Sequence, residues 1–288
     1  MKPAPFAYVR ADTAADAIAL IDEDPDAKFL AGGQSLLTLM NLRLARPARV
    51  VDIGGLGELN RVFDDADSVL VGATVRHRAF ETDPLLRRLV PLAADAARHI
   101  GHVAIRNQGT LGGTLAHADP AAELPLVMVT LGATMYAESR RRGRRAIPAQ
   151  DFFVSHYTSE LEPDELLTWV RIPTLLPREG WGFVEYARRH GDFAIAGAAA
   201  VVGLRPDGTV ERVRAGLLNV GDRPLLVSGG ASMSGCRPDD ELWRDLAGEW
   251  VRQANPPENA DYVRDVARAA LTRALRAAYD RAVSAGGE

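Results

Sequence analysis

Apolar positions along the chain switch between a helical and an alternating period, and each switch marks an element. Ala14, Ala17, Ile18 and Ile21 form a stripe at helical spacing and Thr13 can cap its first turn, which predicts a helix over residues 13–24. Lys28, Phe29 and Leu30 read as a short buried strand. It runs into Ala31-Gly32-Gly33-Gln34-Ser35, after which Leu36, Leu37, Leu39, Met40 and Leu42 restore helical spacing until Pro47. Residues 50–53 and 69–73 are strand-like, and 85–100 carries alanine and leucine at the helical period. A second glycine-rich segment, 110–120, leads into an apolar helix over 121–131, with Pro120 suited to its first turn. Strand character returns at 134–137 and at 166–173, the latter closed by Pro173.

Residues 174–180 are rich in proline and glycine and predict a boundary. Beyond it, 183–187, 195–204 and 210–218 read as three strands, followed by helices over 239–253 and 258–283. The last helix is studded with arginine, alanine and aspartate and reads as a solvated amphipathic helix. The order implies a mixed α+β protein. The basic run from Arg140 to Arg145 reads as a solvated hairpin turn, with a partner-docking patch as the other reading.

Composition narrows the function. With 288 residues, 47% of them hydrophobic, the chain can bury a substantial core or several smaller ones. A net charge of -4 argues against a broad nucleic-acid surface, which needs a basic surplus. No run of about 18 apolar residues exists. The start, Met1-Lys2-Pro3-Ala4-Pro5, lacks the apolar core of a secretory signal, so a cytoplasmic protein is expected. Cys236 is the sole cysteine, which excludes an internal disulfide and a four-thiolate iron–sulfur cluster, so any such cluster is expected on a partner. The six histidines, at 77, 99, 102, 117, 156 and 190, show no ligand spacing, and no metal site is expected.

The candidate chemistry lies in the two glycine doublets. Without a β-carbon, glycine reaches positive φ and lets successive N–H groups converge into a nest that suits an anion. At the start of a helix, unpaired N–H groups add to that effect. Each hydrogen bond to a charged oxygen contributes about 1.5–3 kcal/mol. Residues 31–35 and 110–114 are therefore expected to grip a pyrophosphate from both sides, and a dinucleotide is the natural ligand. Neither Gly-x-Gly-x-x-Gly nor a Gly-Lys-[Ser/Thr] phosphate loop is present. Spacing alone leaves open a pair of merely structural turns.

Ala31-Gly32-Gly33-Gln34-Ser35-Leu36 and the run from Ile105 to Pro125, which includes Thr110-Leu111-Gly112-Gly113-Thr114-Leu115-Ala116-His117-Ala118-Asp119-Pro120, resemble the two FAD-binding motifs of the medium subunit of molybdenum hydroxylases. A third stretch, from Tyr186 to Ala194, is similar to the segment opening that family's C-terminal domain. The resemblance implies an FAD-binding fold of the vanillyl-alcohol oxidase or p-cresol methylhydroxylase type, built from subdomains 1–55 and 56–176, with a C-terminal α+β domain, 177–288, holding a three-stranded sheet and helices. FAD would lie between the first two. Its contacts would come from Leu30, Ala31, Gly32, Gly33, Gln34, Ser35 and Leu36, then Ile105, Asn107, Thr110, Leu111, Gly112, Gly113, Thr114, Ala116, His117 and Asp119, together with Leu167 and Phe193. Asp119 would reach the ribityl region, or else cap the helix ahead of Pro120, and His117 also reads as a satisfied loop histidine.

The resemblance further implies a relay. Two electrons leave a substrate at molybdenum, held as a molybdopterin cytosine dinucleotide complex on a large subunit, and pass through two 2Fe-2S clusters of a small subunit to FAD, with no side chain of this chain acting as acid or base. A dimer of heterotrimers is implied. Phe193, Glu185 and Ala116-His117-Ala118-Asp119 depart from the tyrosine, lysine and Ala-Asn-Gly-Asp of the carbon monoxide dehydrogenases, which favours an organic, often N-heteroaromatic, substrate. The alternatives are a carbon monoxide dehydrogenase medium subunit, a self-contained FAD oxidase or reductase of the same fold, and a non-catalytic assembly module.

Overall fold

The protein is described by a computed structural model over residues 2–227 and 233–286. Strands β1 (Ala7–Arg10) and β2 (Lys28–Leu30) both pair in parallel with β3 (Arg49–Asp52), in the order β1-β3-β2. Parallel neighbours need crossovers, which α1 (Ala14–Asp22) and α2 (Leu36–Asn41) supply. Thr13 caps α1 as expected, its Oγ1 accepting from Asp16 N at 3.1 Å. Ala17, Ile18 and Ile21 bury their stripe with Val51, Ile53 and Leu166. β1 was not legible beforehand, because its four residues are mostly exposed and show no clean alternation.

The second sheet is antiparallel, in the order β4-β5-β10-β6-β7, with β4 Val62–Asp65, β5 Ser68–Gly72, β6 Thr134–Ser139, β7 Gly143–Pro148 and β10 Leu166–Pro173. A row of helices covers it: α3 (His77–Thr82), α4 (Pro84–Leu89), α5 (Pro91–Ala97), α6 (Val103–Gln108), α7 (Leu111–His117) and α8 (Glu123–Leu131). Two expectations need correction. The single helix over 85–100 is two, because Pro91 has no N–H to donate and instead begins α5. The helix expected from 121 starts at Glu123, and Pro120 lies in the preceding turn rather than in the first helical turn.

The basic run forms the β6–β7 hairpin, as expected, although its arginines are largely paired. Arg142 bonds Asp164, Arg144 lies over the Tyr136 ring at 4.3 Å, and Arg145 meets Glu165 at 2.8 Å. After β7 come α9 (Ala149–Phe152) and a small hairpin of β8 (Phe153–Ser155) and β9 (Thr158–Ser159).

The third sheet has four strands and not three: β11 (Glu179–Ala187), β12 (Ala194–Leu204), β13 (Val210–Leu218) and β14 (Leu225–Val227), all antiparallel. β14 escaped the sequence because only three residues behind Pro224 add to the edge of β13. One face of the sheet, with Ala196, Ala198, Ala200 and Val202, packs on α10 (Asp240–Trp250) and α11 (Ala260–Gly286). The other face, with Phe183, Ala199, Val201 and Leu218, joins the core of the second sheet and its helices. The third sheet is thus held on both sides, which fixes the β11–β12 turn beside the helical layer.

Helix α11 is amphipathic, and its apolar stripe is mostly alanine: Ala267, Ala270, Ala274, Ala278 and Ala282 are fully buried, with Leu271 and Leu275 between them. Small side chains permit close approach. A β-carbon on Gly182 of β11 would sit 2.8 Å from the Ala274 carbonyl carbon, too near for any real side chain. Gly182→Val should therefore cost about 2–3 kcal/mol in urea unfolding. Gly221→Ala, at a position with open space around it, should change stability by less than about 0.5 kcal/mol.

Candidate functional site

The first glycine turn joins β2 to α2. Gly33 has φ +73°, a conformation that only glycine adopts freely, and the chain then enters α2 at Ser35, which makes no side-chain capping bond. Gln34 Nε2 donates weakly to Gly32 O at 3.4 Å, and Thr38 Oγ1 donates to Gln34 O at 2.9 Å. Among the described residues, the main-chain N–H groups of Gly32, Gly33, Gln34 and Ser35 meet no acceptor. Four adjacent unpaired donors at half-exposed backbone are an anion nest of the kind the sequence suggested.

The second segment behaves differently. Gly112 and Gly113 have no positive φ; they lie inside α7, with Thr110 as its N-cap. The N–H groups of Leu111 and Gly112 bond Val75 O and Ala73 O at 2.9 and 2.8 Å, and those of Gly113 and Thr114 bond Thr110 Oγ1 and Thr110 O, both at 3.1 Å. The expectation of a second free nest is corrected accordingly, since these donors serve the fold. Gly112 is needed for contact instead, because a β-carbon there would run into Ala73. At Gly113 an added β-carbon would meet Thr110 Oγ1 at 2.7 Å, with Ala31 Cβ at 3.9 Å and Thr110 Cβ at 4.0 Å.

The two segments do face each other. A β-carbon on Gly32 would collide with the Gln108 carbonyl oxygen and lie 2.9 Å from Gly109 Cα, so the first turn rests directly on the main chain that precedes Thr110. That main chain is itself clamped by residues 75–77. His77 N donates to Gly109 O at 2.9 Å, the Arg76 guanidinium donates to Gln108 O, and His77 Nε2 is 2.9 Å from Thr110 O. A carbonyl only accepts, so Nε2 carries the proton; Nδ1 is then a buried acceptor, and it has no partner among the described residues. Burial lowers the His77 pKa to about 4, and the Thr110 bond offsets that only partly.

The remaining expected residues divide by exposure. Ile105, Asn107 and Ala116 are exposed, Leu30, Ala31, Leu36, Gly113, Thr114 and His117 are half-buried, and Thr110, Leu111, Gly112 and Leu167 are buried. Leu167 belongs to the core beside a bulge in β10. His117 ends α7 against Tyr157, with ring centroids 5.1 Å apart, and burial lowers its pKa. Asp119 Oδ1 accepts from Ala121 N at 2.9 Å within the turn that precedes α8, and it does not cap that helix, whose N-cap is Ala122. Ala118 between them has φ +52°, a left-handed conformation that explains why glycine serves there in the Ala-Asn-Gly-Asp pattern. Phe193 is 75% exposed on the β11–β12 turn. That turn leans on Gly101, whose carbonyl oxygen would lie 3.0 Å from a β-carbon on Gly191. A cavity of about 350 Å³ between α1 and the β6–β7 hairpin touches neither glycine segment.

Three charged residues, Arg106, Glu81 and Glu123, were missed, and a fourth, Glu185, was noted only as a departure in charge. Arg106 and Glu81 form a buried pair, with Nε to Oε2 at 2.8 Å, and Arg106 Nη1 also donates to Ile100 O and Gly101 O, both at 2.9 Å, which anchors α6. Burial pushes the Glu81 carboxyl up, but its bonds to Arg106 and Arg78 outweigh this and hold it below the ordinary value. Glu123, at the start of α8, is 8% exposed, and burial with Glu185 and Asp119 nearby raises its pKa to about 8. Glu185, on β11, is raised to about 7 by burial, and its Oε2 lacks a partner among the described residues. Only Glu185 stood out in the sequence, as a departure in charge; the burial of the others depends on contacts between distant segments.

These shifts have opposite signs with pH. Below the ordinary histidine value of 6.5 the unfolded chain takes up a proton that native His77 refuses until about pH 4, so stability falls across that window by up to about 3 kcal/mol. His77→Gln keeps an N–H for Thr110 O and should flatten this slope in urea unfolding between pH 7 and 4. Glu123 contributes fully below pH 4.5 and loses its contribution as pH rises toward 8, so Glu123→Gln should raise the melting temperature at pH 8 and leave it nearly unchanged at pH 4.5. A uniform shift at both pH values would contradict a proton held by Glu123.

Comparison with known proteins agrees with this geometry. Residues 4–175 match the family model described as the FAD binding domain in molybdopterin dehydrogenase. The caffeine dehydrogenase subunit beta of Pseudomonas sp. (strain CBB1) is 41% identical over 226 residues, 78% of this chain and 76% of that protein. The carbon monoxide dehydrogenase medium chain of Hydrogenophaga pseudoflava is 34% identical over 288 residues, covering 98% of this chain and 99% of that one. A chain in the crystal structure of quinoline 2-oxidoreductase from Pseudomonas putida 86 superposes with a TM-score of 0.93 at 36% identity, covering 98% of this chain and 99% of its own. The chain is therefore a member of the family of FAD-binding domains of molybdopterin dehydrogenases.

Proposed function

We propose that this chain is the FAD-carrying medium subunit of a heterotrimeric molybdenum hydroxylase, passing electrons from the 2Fe-2S clusters of a small subunit to an external acceptor. The observation that carries the reading is the run of four unpaired amides, Gly32 to Ser35, packed against the main chain at Gln108 and Gly109 in a chain of this family. The donor set fits a dinucleotide diphosphate: four successive main-chain N–H groups lack an acceptor among the described residues, and at Gly113 the nearest atom of the first turn, Ala31 Cβ, would lie 3.9 Å from an added β-carbon. Bound FAD supplies the redox chemistry, accepting and releasing electrons singly or in pairs.

The chain's own residues bind and orient. Gly32, Gly33, Gln34 and Ser35 hold the diphosphate through main-chain N–H groups, and the Thr110 and Thr114 hydroxyls lie on the facing segment. Asp119, His117, Leu30, Ala31, Leu36 and Ala116, with exposed Ile105, Asn107 and Phe193, would hold and enclose the rest of the cofactor, and Leu111, fully buried, would support α7 from behind. Leu167 lies behind them in the core and contributes packing. Residues 1–55 and 56–176 form the two halves of the clasp, and 177–288 carries Phe193 and Glu185 to its edge. Molybdopterin cytosine dinucleotide with molybdenum sits on a large subunit, and two heterotrimers associate as a dimer in the cytoplasm. No helix among the described residues is long and apolar enough to cross a membrane.

The acidic Glu185 and apolar Phe193 favour an organic substrate, including N-heteroaromatics, oxidised at the molybdenum subunit; caffeine dehydrogenase and quinoline 2-oxidoreductase among the similar proteins have names consistent with this. Purified with its partners, the protein should release one FAD per chain of this type on denaturation. Gly113→Val should lose FAD while keeping its far-ultraviolet circular dichroism, because a branched side chain would fill the space beside Thr110 and Ala31. Full flavin content in that variant would contradict this placement of the cofactor.

A further inference from the structure

We propose that Arg76 is a positioning residue for the cofactor, its guanidinium tying the turn after β3, which packs against Ala31, to the second segment and so setting the spacing of the amides that hold the diphosphate. The proposal rests on the reading of these segments as the FAD clasp.

Arg76 caps the start of α3, and its main chain forms an isolated bridge with Thr110. The side chain spans two carbonyls, one of them in the turn beside Ala31, whose carbonyl oxygen would lie 3.0 Å from a β-carbon on Gly54. It donates to Gln108 O, at the end of α6, and through Nη2 to Gly54 O at 3.4 Å, just beyond β3. Gly54 is in turn held by Asp52, whose Oδ1 accepts from Gly54 N at 2.8 Å and whose Oδ2 accepts from Tyr8 Oη at 2.6 Å. One planar fork therefore connects the parallel sheet to the helical layer.

The acceptor at one end gives this bridge its significance. Gln108 O is the same carbonyl on which Gly32 rests. Its oxygen carries a partial negative charge beneath a nest that must receive an anion, and the guanidinium offsets that charge while fixing the carbonyl's direction. Lysine cannot do both. A single ammonium on a flexible stem lacks the planar fork that spans two carbonyls, so a charge-conserving replacement separates positioning from simple attraction.

The test uses the full chain in its complex, with Arg76→Lys and Arg76→Met. FAD is removed and its rebinding titrated by quenching of flavin fluorescence, ADP serves as a second probe carrying the diphosphate without the ring, and amide hydrogen exchange is followed over residues 105–112 in the FAD-free protein. Both variants should bind FAD and ADP about tenfold more weakly or worse. Both should exchange faster over 105–112, with Lys giving no recovery over Met. Recovery of affinity by Arg76→Lys would overturn the proposal in favour of charge alone, and unchanged exchange or unchanged affinity in both variants would overturn it outright. Failure of the unmodified protein to bind FAD would instead defeat the clasp itself, a result distinct from any effect of the substitutions.

Discussion

The contact between Gly32 and the Gln108 carbonyl sets the distance between the two glycine segments, and the rest of the site follows from it. No side chain intervenes, so the amides of Gly32 to Ser35 open beside the main chain at Thr110. The contact persists because each side is fixed by its own sheet. The first turn hangs between β2 and α2, while residues 108–111 are held by Val75, Arg76 and His77. Buried hydrogen bonds of this kind contribute about 1 kcal/mol each when made and cost more when left unmade, which makes the platform stiff.

Around this clasp the charged groups have separate tasks. Arg106 and Glu81 are buried together, and breaking such a pair leaves an uncompensated charge, so they act as an anchor for the turn ahead of α6. Glu123 on α8 and Glu185 on β11 interact, and burial raises both carboxyls, Glu123 to about 8 and Glu185 to about 7. The third sheet, which carries Glu185 on the strand that precedes Phe193, is packed on one face by α10 and α11 and on the other by the helical layer.

The first turn was legible because its determinants are local: strand, glycine doublet and apolar helix follow one another within fifteen residues of chain, 28–42. The second doublet was found but misread, since glycine required for positive φ and glycine required for close packing look identical in a sequence; only the contact with Ala73 distinguishes Gly112. Arg76 and His77 were not legible as site residues, because their partners Gln108 and Thr110 lie 32 and 33 positions away. Elsewhere the misses have ordinary causes. Pro91 splits a helix that periodicity joins, and β14 is too short to show a period. The long motif from Ile105 to Pro125 carried the family, and with it the α+β fold, further than spacing could.

Backbone amide resonances offer the most direct test of the central claim, that main-chain N–H groups of the first turn hold the cofactor's diphosphate. Selective 15N labelling of glycine and serine in the FAD-free protein, followed by titration with FAD and with ADP, reports on Gly32, Gly33 and Ser35 individually. The account expects these three signals to move downfield with both ligands, as amides do on gaining an anionic acceptor, while Gly112, already bonded to Ala73 O, moves little. Saturation with FAD that leaves Gly32, Gly33 and Ser35 unshifted would contradict it.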